Sequence, residues 1–180
     1  MEYALVSVAV LLSPGGGLAG NLASLADQAL NIPDWVRDRY PNWLDLPEQS
    51  GLEFGRTAVL TGLAGGIWGL DPFLAWFDWR ESPEDIEDRL RRIPSRPVMS
   101  WTKSPDSAEG PTQYPSDTSA YLREIARQSR EAGMALVSIT KGDSYALCFV
   151  PLNRTDLLLA DAKTAGFTHE NDCGLELIDP

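Results

Sequence analysis

Apolar residues at positions 4, 5, 8, 11 and 12 recur at helical spacing, and the pattern stops at Ser13-Pro14-Gly15-Gly16-Gly17. This predicts a first helix. Leu18, Leu22, Leu25, Ala26 and Leu30 continue the same period and predict a second. Pro33, Pro41 and Pro47 then divide the chain into short pieces carrying Trp35, Tyr40 and Trp43, which reads as a loop with aromatic anchors. Residues 52–70 are apolar but carry glycines at 55, 62, 65, 66 and 69. They fit a helix packed closely against a neighbour, or a strand and turn, and the pattern favours the helix.

The run Phe73-Leu74-Ala75-Trp76-Phe77-Asp78-Trp79 is short, aromatic and bounded by Pro72, which predicts a buried strand. Ser82 as N-cap, Pro83 at the first helical position and Glu84-Asp85 in the first turn start a helix with the buried stripe Ile86, Leu90 and Ile93. Arg89, Arg91 and Arg92 suit its C-terminus, and Glu84, Asp85, Glu87 and Asp88 read as a solvated face flanking the stripe. Residues 94–118, with prolines at 94, 97, 105, 111 and 115, predict a long irregular Pro/Ser-rich loop. Tyr121, Leu122, Ile125, Ala126 and Ala132 form another amphipathic helix, closed by Gly133. Residues 134–140 and 144–150 read as a hairpin around Lys141-Gly142-Asp143. Asn153 with Asp156 predicts the cap of a last helix through Leu157, Leu158, Ala162 and Ala165, ended by Gly166, with one more strand at 175–178. The sum is a single α/β domain of the α+β type over residues 1–180, with a helical N-terminal part and helices packed on a small mixed or antiparallel sheet.

Charge narrows the function more than composition does. Fifteen Lys and Arg against 26 Asp and Glu give a net charge of −11, which repels phosphate backbones and anionic head groups, so neither nucleic acid nor a membrane is an expected partner. The excess is spread along the chain rather than gathered in a tail, which leaves a solvated surface or a face that steers a basic partner. The apolar stretch 4–12 has no preceding Lys or Arg and falls short of the roughly 20 residues a membrane helix needs. A cytoplasmic location is the expectation. There, Cys148 and Cys173 are expected as free thiols, without metal-ligand spacing.

Candidate chemistry is sparse. His169 is the sole histidine, which excludes a multi-histidine metal site and leaves it as a surface residue. No nucleophile elbow, phosphate-binding loop or dinucleotide fingerprint occurs, so no catalytic residue, metal or cofactor is assigned. The notable cluster is Trp68, Trp76, Trp79 and Trp101, four of six tryptophans, beside Asp71, Asp78, Arg80 and Glu81. Tryptophans fill cores or anchor interfaces. On an alternating strand Trp76 and Asp78 share one face, and Phe77 and Trp79 the other.

Trp76-Phe77-Asp78-Trp79-Arg80-Glu81-Ser82, Gly142-Asp143-Ser144-Tyr145 and Ala162-Lys163-Thr164-Ala165-Gly166-Phe167 together resemble an uncharacterised family of small bacterial proteins, over about residues 70–170. That family's small acidic profile resembles immunity proteins that protect bacteria from secreted toxins. With the acidic charge, the missing catalytic set and the tryptophan cluster, the expectation is a toxin-neutralising protein-binding role with a protein partner, a basic toxin, and candidate contact residues Trp76, Asp78, Arg80, Glu81, Trp101, Asp143 and Tyr145. The alternative is a small-molecule-binding or carboxylate-dependent enzyme domain using Asp71, Asp78, Glu81 or Asp143 in a cleft under the 94–118 loop.

Overall fold

The computed structural model of the chain describes residues 2–13, 17–40, 49–69, 71–78, 80–101, 118–141, 144–171 and 173–180. Seven helices and four strands are found among them, in the order α1 (Glu2–Leu12), α2 (Gly17–Asn31), α3 (Pro33–Arg39), α4 (Gly51–Leu63), β1 (Ala75–Asp78), α5 (Pro83–Leu90), α6 (Thr118–Glu131), β2 (Met134–Lys141), β3 (Ser144–Pro151), α7 (Thr155–Thr164) and β4 (Leu175–Leu177). The strands form one sheet in the order β1-β3-β2-β4, with every neighbouring pair antiparallel. The fold is of the α+β class.

The predicted hairpin is the middle of this sheet. Lys141 pairs with Ser144 and Met134 with Pro151, so eight residues of each strand are in register. Successive side chains point to opposite faces. Ala146, Cys148 and Val150 of β3, with Val137 and Ile139 of β2, join a core with Leu5, Val8 and Leu12 of α1, Leu22 of α2 and Leu158 of α7. Leu147 and Phe149, with Leu136, join a second core on the other face with Ile86, Leu90 and Ile93 around α5 and Tyr121 and Ile125 of α6. Both faces are therefore dry. That accounts for the continuous apolar reading of the two strands in place of an alternating one.

Away from the sheet, Leu25, Ala29, Val36, Phe54 and Ala58 fasten α2, α3 and α4 to one another. The glycines of α4 make this approach possible. A Cβ at Gly62 would lie 2.8 Å from Leu22 Cδ2 and 3.0 Å from the Trp68 ring, and one at Gly55 would lie 2.6 Å from Leu5 Cδ2. The close-packed helix is thus the correct reading of residues 51–63. Both cysteines are free and buried, and complete burial pushes the Cys148 thiol up to about 12, which keeps it neutral.

Ser82 caps α5 by accepting a hydrogen bond from the Asp85 backbone N–H at 3.2 Å. Gly133 and Gly166 close α6 and α7 with φ of 78° and 79°, as their positions predicted. Three readings need correction. The segment expected to be a loop begins with a helix, α3, in which Pro33 occupies the first turn and Arg37 and Arg39 the last. Pro33 starts a helix there and does not break one, and Trp35 is exposed. Pro41, Trp43 and Pro47 lie outside the described residues.

Asn153 does not cap α7. It sits in a 3₁₀ turn, Leu152–Arg154, that leads directly from β3 into the helix, and the N-cap is Arg154 without a side-chain bond. The Thr155 hydroxyl closes this turn on the Leu152 carbonyl at 2.9 Å, and Leu157 of the expected stripe is exposed. Lastly, Glu87 is not solvated. It is 3% exposed, accepts from the Tyr121 hydroxyl at 3.2 Å and pairs with Arg91, because the packing of α6 on α5 encloses one shoulder of the acidic face.

Of the predicted 94–118 loop, residues 94–101 are irregular, and 102–117 lie outside the described residues, as do Gly15 and Gly16. Among the described residues no helix is long and apolar enough to cross a membrane. The tight seat of α4 gives a direct test. Gly62→Val places two methyl groups where Leu22 and Trp68 already stand, and urea unfolding should report a loss of about 2–3 kcal/mol; a loss under about 0.5 kcal/mol would mean the helices separate freely.

Candidate functional site

The ladder between β1 and β3 brings together two segments that are more than 60 positions apart in the chain. Asp78 lies opposite Ser144 and Phe77 opposite Tyr145. The Phe77 and Tyr145 rings stack at a tilt with centroids 5.5 Å apart. Beyond the strand the chain turns sharply: the Asp78 carboxylate accepts from the Arg80 backbone N–H at 3.0 Å, and the Asp78 carbonyl from the Glu81 N–H at 3.1 Å. This Asx-type turn places Glu81 beside the two rings.

Arg89 holds the group in place. It leaves α5 to donate to the Trp76 carbonyl at 2.6 Å and to the Glu81 carboxylate at 2.7 Å, with its guanidinium 5.3 Å from the centre of the Phe77 ring. The arrangement covers a carbonyl of an edge strand and adds a cation–π contact. Sequence reasoning assigned Arg89 only to the C-terminus of its helix. An eight-residue separation from Glu81 across a turn follows neither helical nor strand spacing, so no signal in the chain announces this contact.

Tyr145 is the centre of the cluster. Burial, then the Glu81 charge, then the Asp78 charge push its phenol above the ordinary 10.0, since each disfavours a phenolate. Its hydroxyl is sealed from water and has no hydrogen-bond partner among the described residues. Glu84, Asp85 and Asp88, on the helix that follows Glu81, are exposed carboxylates. Asp88 is paired with Arg92, while Asp85 accepts from the Ser82 hydroxyl at 2.7 Å.

Of the seven candidate contact residues, Asp78, Arg80, Glu81 and Tyr145 thus come to one end of the β1/β3 ladder, Asp78 on the Trp76 face of the strand and Tyr145 on the Phe77 face. Trp76 belongs to the face opposite Tyr145, half-buried against the core formed with α1, as strand alternation required. Trp101 is on the Tyr145 face but four residues along β3, edge-on to Phe149 at 6.1 Å and under the Arg91 guanidinium at 5.5 Å. It adopts a φ of 55°, a backbone state uncommon for a bulky residue. Asp143, with Gly142 and Trp79, lies outside the described residues. His169 is exposed, as expected of it, and 4.0 Å from the Glu176 carboxylate.

No curated protein and no solved structure matches the chain significantly. A family model, however, matches residues 4–171. The chain belongs to the family DUF6630, a domain of unknown function. The DUF6630 match takes in the four N-terminal helices as well as the 70–170 stretch that carried the resemblance, and with it the first three strands of the sheet. Among the described residues of this DUF6630 domain, no three His, Cys, Asp or Glu side chains are grouped to hold a metal ion.

The unpaired Tyr145 hydroxyl has a measurable consequence. Removing a buried polar atom that has no partner should leave stability unchanged or raise it by up to about 1 kcal/mol in Tyr145→Phe. The folded state holds the proton more tightly than the unfolded chain does. Stability is therefore undisturbed below pH 10 and falls as pH rises past it, and this alkaline loss should be smaller in the Phe variant. Denaturant midpoints at pH 7 and pH 10.5 test both points; a clear loss of stability in Tyr145→Phe at pH 7 would reveal a bonded hydroxyl.

Proposed function

We propose that this domain works by binding another protein, as a cytoplasmic immunity protein that neutralises a basic antibacterial toxin. The observation that carries this reading is the convergence of Asp78, Glu81 and Tyr145 at one end of the β1/β3 ladder, next to the exposed carboxylates of α5. An acidic face beside an aromatic ring suits a cationic partner, because long-range attraction speeds encounter and the ring supplies contact area after docking. The net charge of −11 extends that attraction over the whole molecule.

The Arg89 contacts favour a side-chain surface over strand addition. With the Trp76 carbonyl occupied by Arg89, an incoming strand meets a side chain where it needs an open acceptor. A second reading, a small-molecule-binding domain, draws support from a separate polar cavity beside α4. Glu53 is the one carboxylate among the described residues that line it, which gives the carboxylate-dependent enzyme no pair to work with there.

The test is co-expression with the product of the adjacent gene. Relief of toxicity and a stoichiometric complex that weakens as salt rises are expected, with Asp78→Asn/Glu81→Gln losing about tenfold or more in affinity. If the neighbour is neither toxic nor bound, or the double variant binds unchanged, the protein-binding assignment to this face fails.

A further inference from the structure

A cavity of about 100 Å³ opens between α4, the end of β2 and Cys173, and is lined by Gln49, Glu53, Arg56, Thr57, Leu60, Lys141 and Cys173. Lys141 follows Val137 and Ile139 in strand alternation, which puts the cavity on the opposite side of the sheet from Tyr145.

Arg56 is the unusual residue there. It is 7% exposed, yet among the described residues its only hydrogen bond is from Nη1 to the Ala165 carbonyl at 3.2 Å, and it has no ion pair. The Ala165 carbonyl belongs to the C-terminus of α7, where a cation is favoured, but it occupies one of five guanidinium N–H groups. A guanidinium this enclosed that meets no carboxylate among the described residues is costly.

Lys141 is a second cation in the same lining that has no ion pair among the described residues. Its ammonium donates to the Thr57 hydroxyl at 3.2 Å, and Thr57 in turn donates to Gln49 Oε1 at 2.8 Å. The direction of this chain matters. It uses the acceptors of Thr57 and Gln49 and, among the described residues, leaves N–H donors on Lys141, Gln49 and Arg56 without partners. One carboxylate is present, Glu53, which is exposed and pairs with neither cation.

We infer that this cavity is a binding site for a small oxyanion, the carboxylate or phosphate group of a ligand, held by Arg56, Lys141 and Gln49. Two cations and a surplus of donors match an acceptor-only, negatively charged group. The volume sets the size. It is below the roughly 150 Å³ that accepts a benzene ring, so it takes a group of about five heavy atoms, and any larger remainder extends through the open side. A strongly acidic protein thus keeps one place where an anion is attracted. This inference is independent of the protein-binding face, since it uses none of the same residues.

Isothermal titration of the full chain with inorganic phosphate and, separately, with succinate, at matched ionic strength in chloride, tests it. A single saturable site is expected for at least one of the two, and which one binds identifies the group as phosphate or carboxylate. Lys141→Gln should weaken binding about tenfold or more, whereas Arg92→Gln, which removes an equal charge from the α5 side of the sheet, should leave it unchanged. Arg56→Gln, shown to be folded by circular dichroism, should abolish it. Absence of saturable binding to the unaltered protein, equal binding in Lys141→Gln, or an equal loss in both Lys141→Gln and Arg92→Gln would overturn the assignment.

Discussion

Burial of the β2–β3 hairpin on both faces is the constraint to which the other elements conform. An antiparallel pair with one wet face needs a single covering layer. Here Ala146, Cys148 and Val150 require cover on one side while Leu147 and Phe149 require it on the other. The N-terminal helices together with α7 meet the first demand, and α5 and α6 meet the second. Neither helical layer can be lost without exposing alternate residues of the same two strands.

The two layers are built differently. The layer carrying α1, α2 and α4 is apolar and close-packed, with glycines where side chains of neighbouring helices already stand. The opposite layer uses amphipathic helices whose outer faces are tied by ion pairs, as between Arg127 and Glu124 or Glu131 on α6. It also encloses a hydrogen-bonded carboxylate, Glu87, between Tyr121 and Arg91. Such a group adds direction to the packing of α5 on α6, because its oxygens must meet donors that apolar contacts do not demand.

Charge is distributed with the same division. At the open end of β1 the charges of Asp78 and Glu81 both act on Tyr145, and Arg89 protects the strand edge from unwanted pairing while neutralising Glu81. On the other face of the sheet two cations line a cavity and keep donors in excess. The same chain thus offers an acidic outer surface and a basic recess.

Local patterns in the chain carry their meaning in the residues themselves. The period of α1, the Ser82-Pro83 start of α5, the glycines closing α6 and α7, the hairpin and the antiparallel or mixed sheet on helices were therefore legible from sequence alone. So was the pairing of Trp76 with Asp78 on one side of β1, because alternation is a property of a single strand. What the chain did not disclose depends on partners distant in sequence. Pro33 reads equally as a helix start or a break until Val36 is seen to be buried against α2 and α4. Glu87 looks solvated until α6 covers it. The Arg89 bridge across β1, the meeting of Asp78 with Tyr145, and the approach of Arg56 on α4 to Lys141 on β2 arise only when the sheet is assembled, because no spacing rule links residues whose nearness is set by tertiary packing.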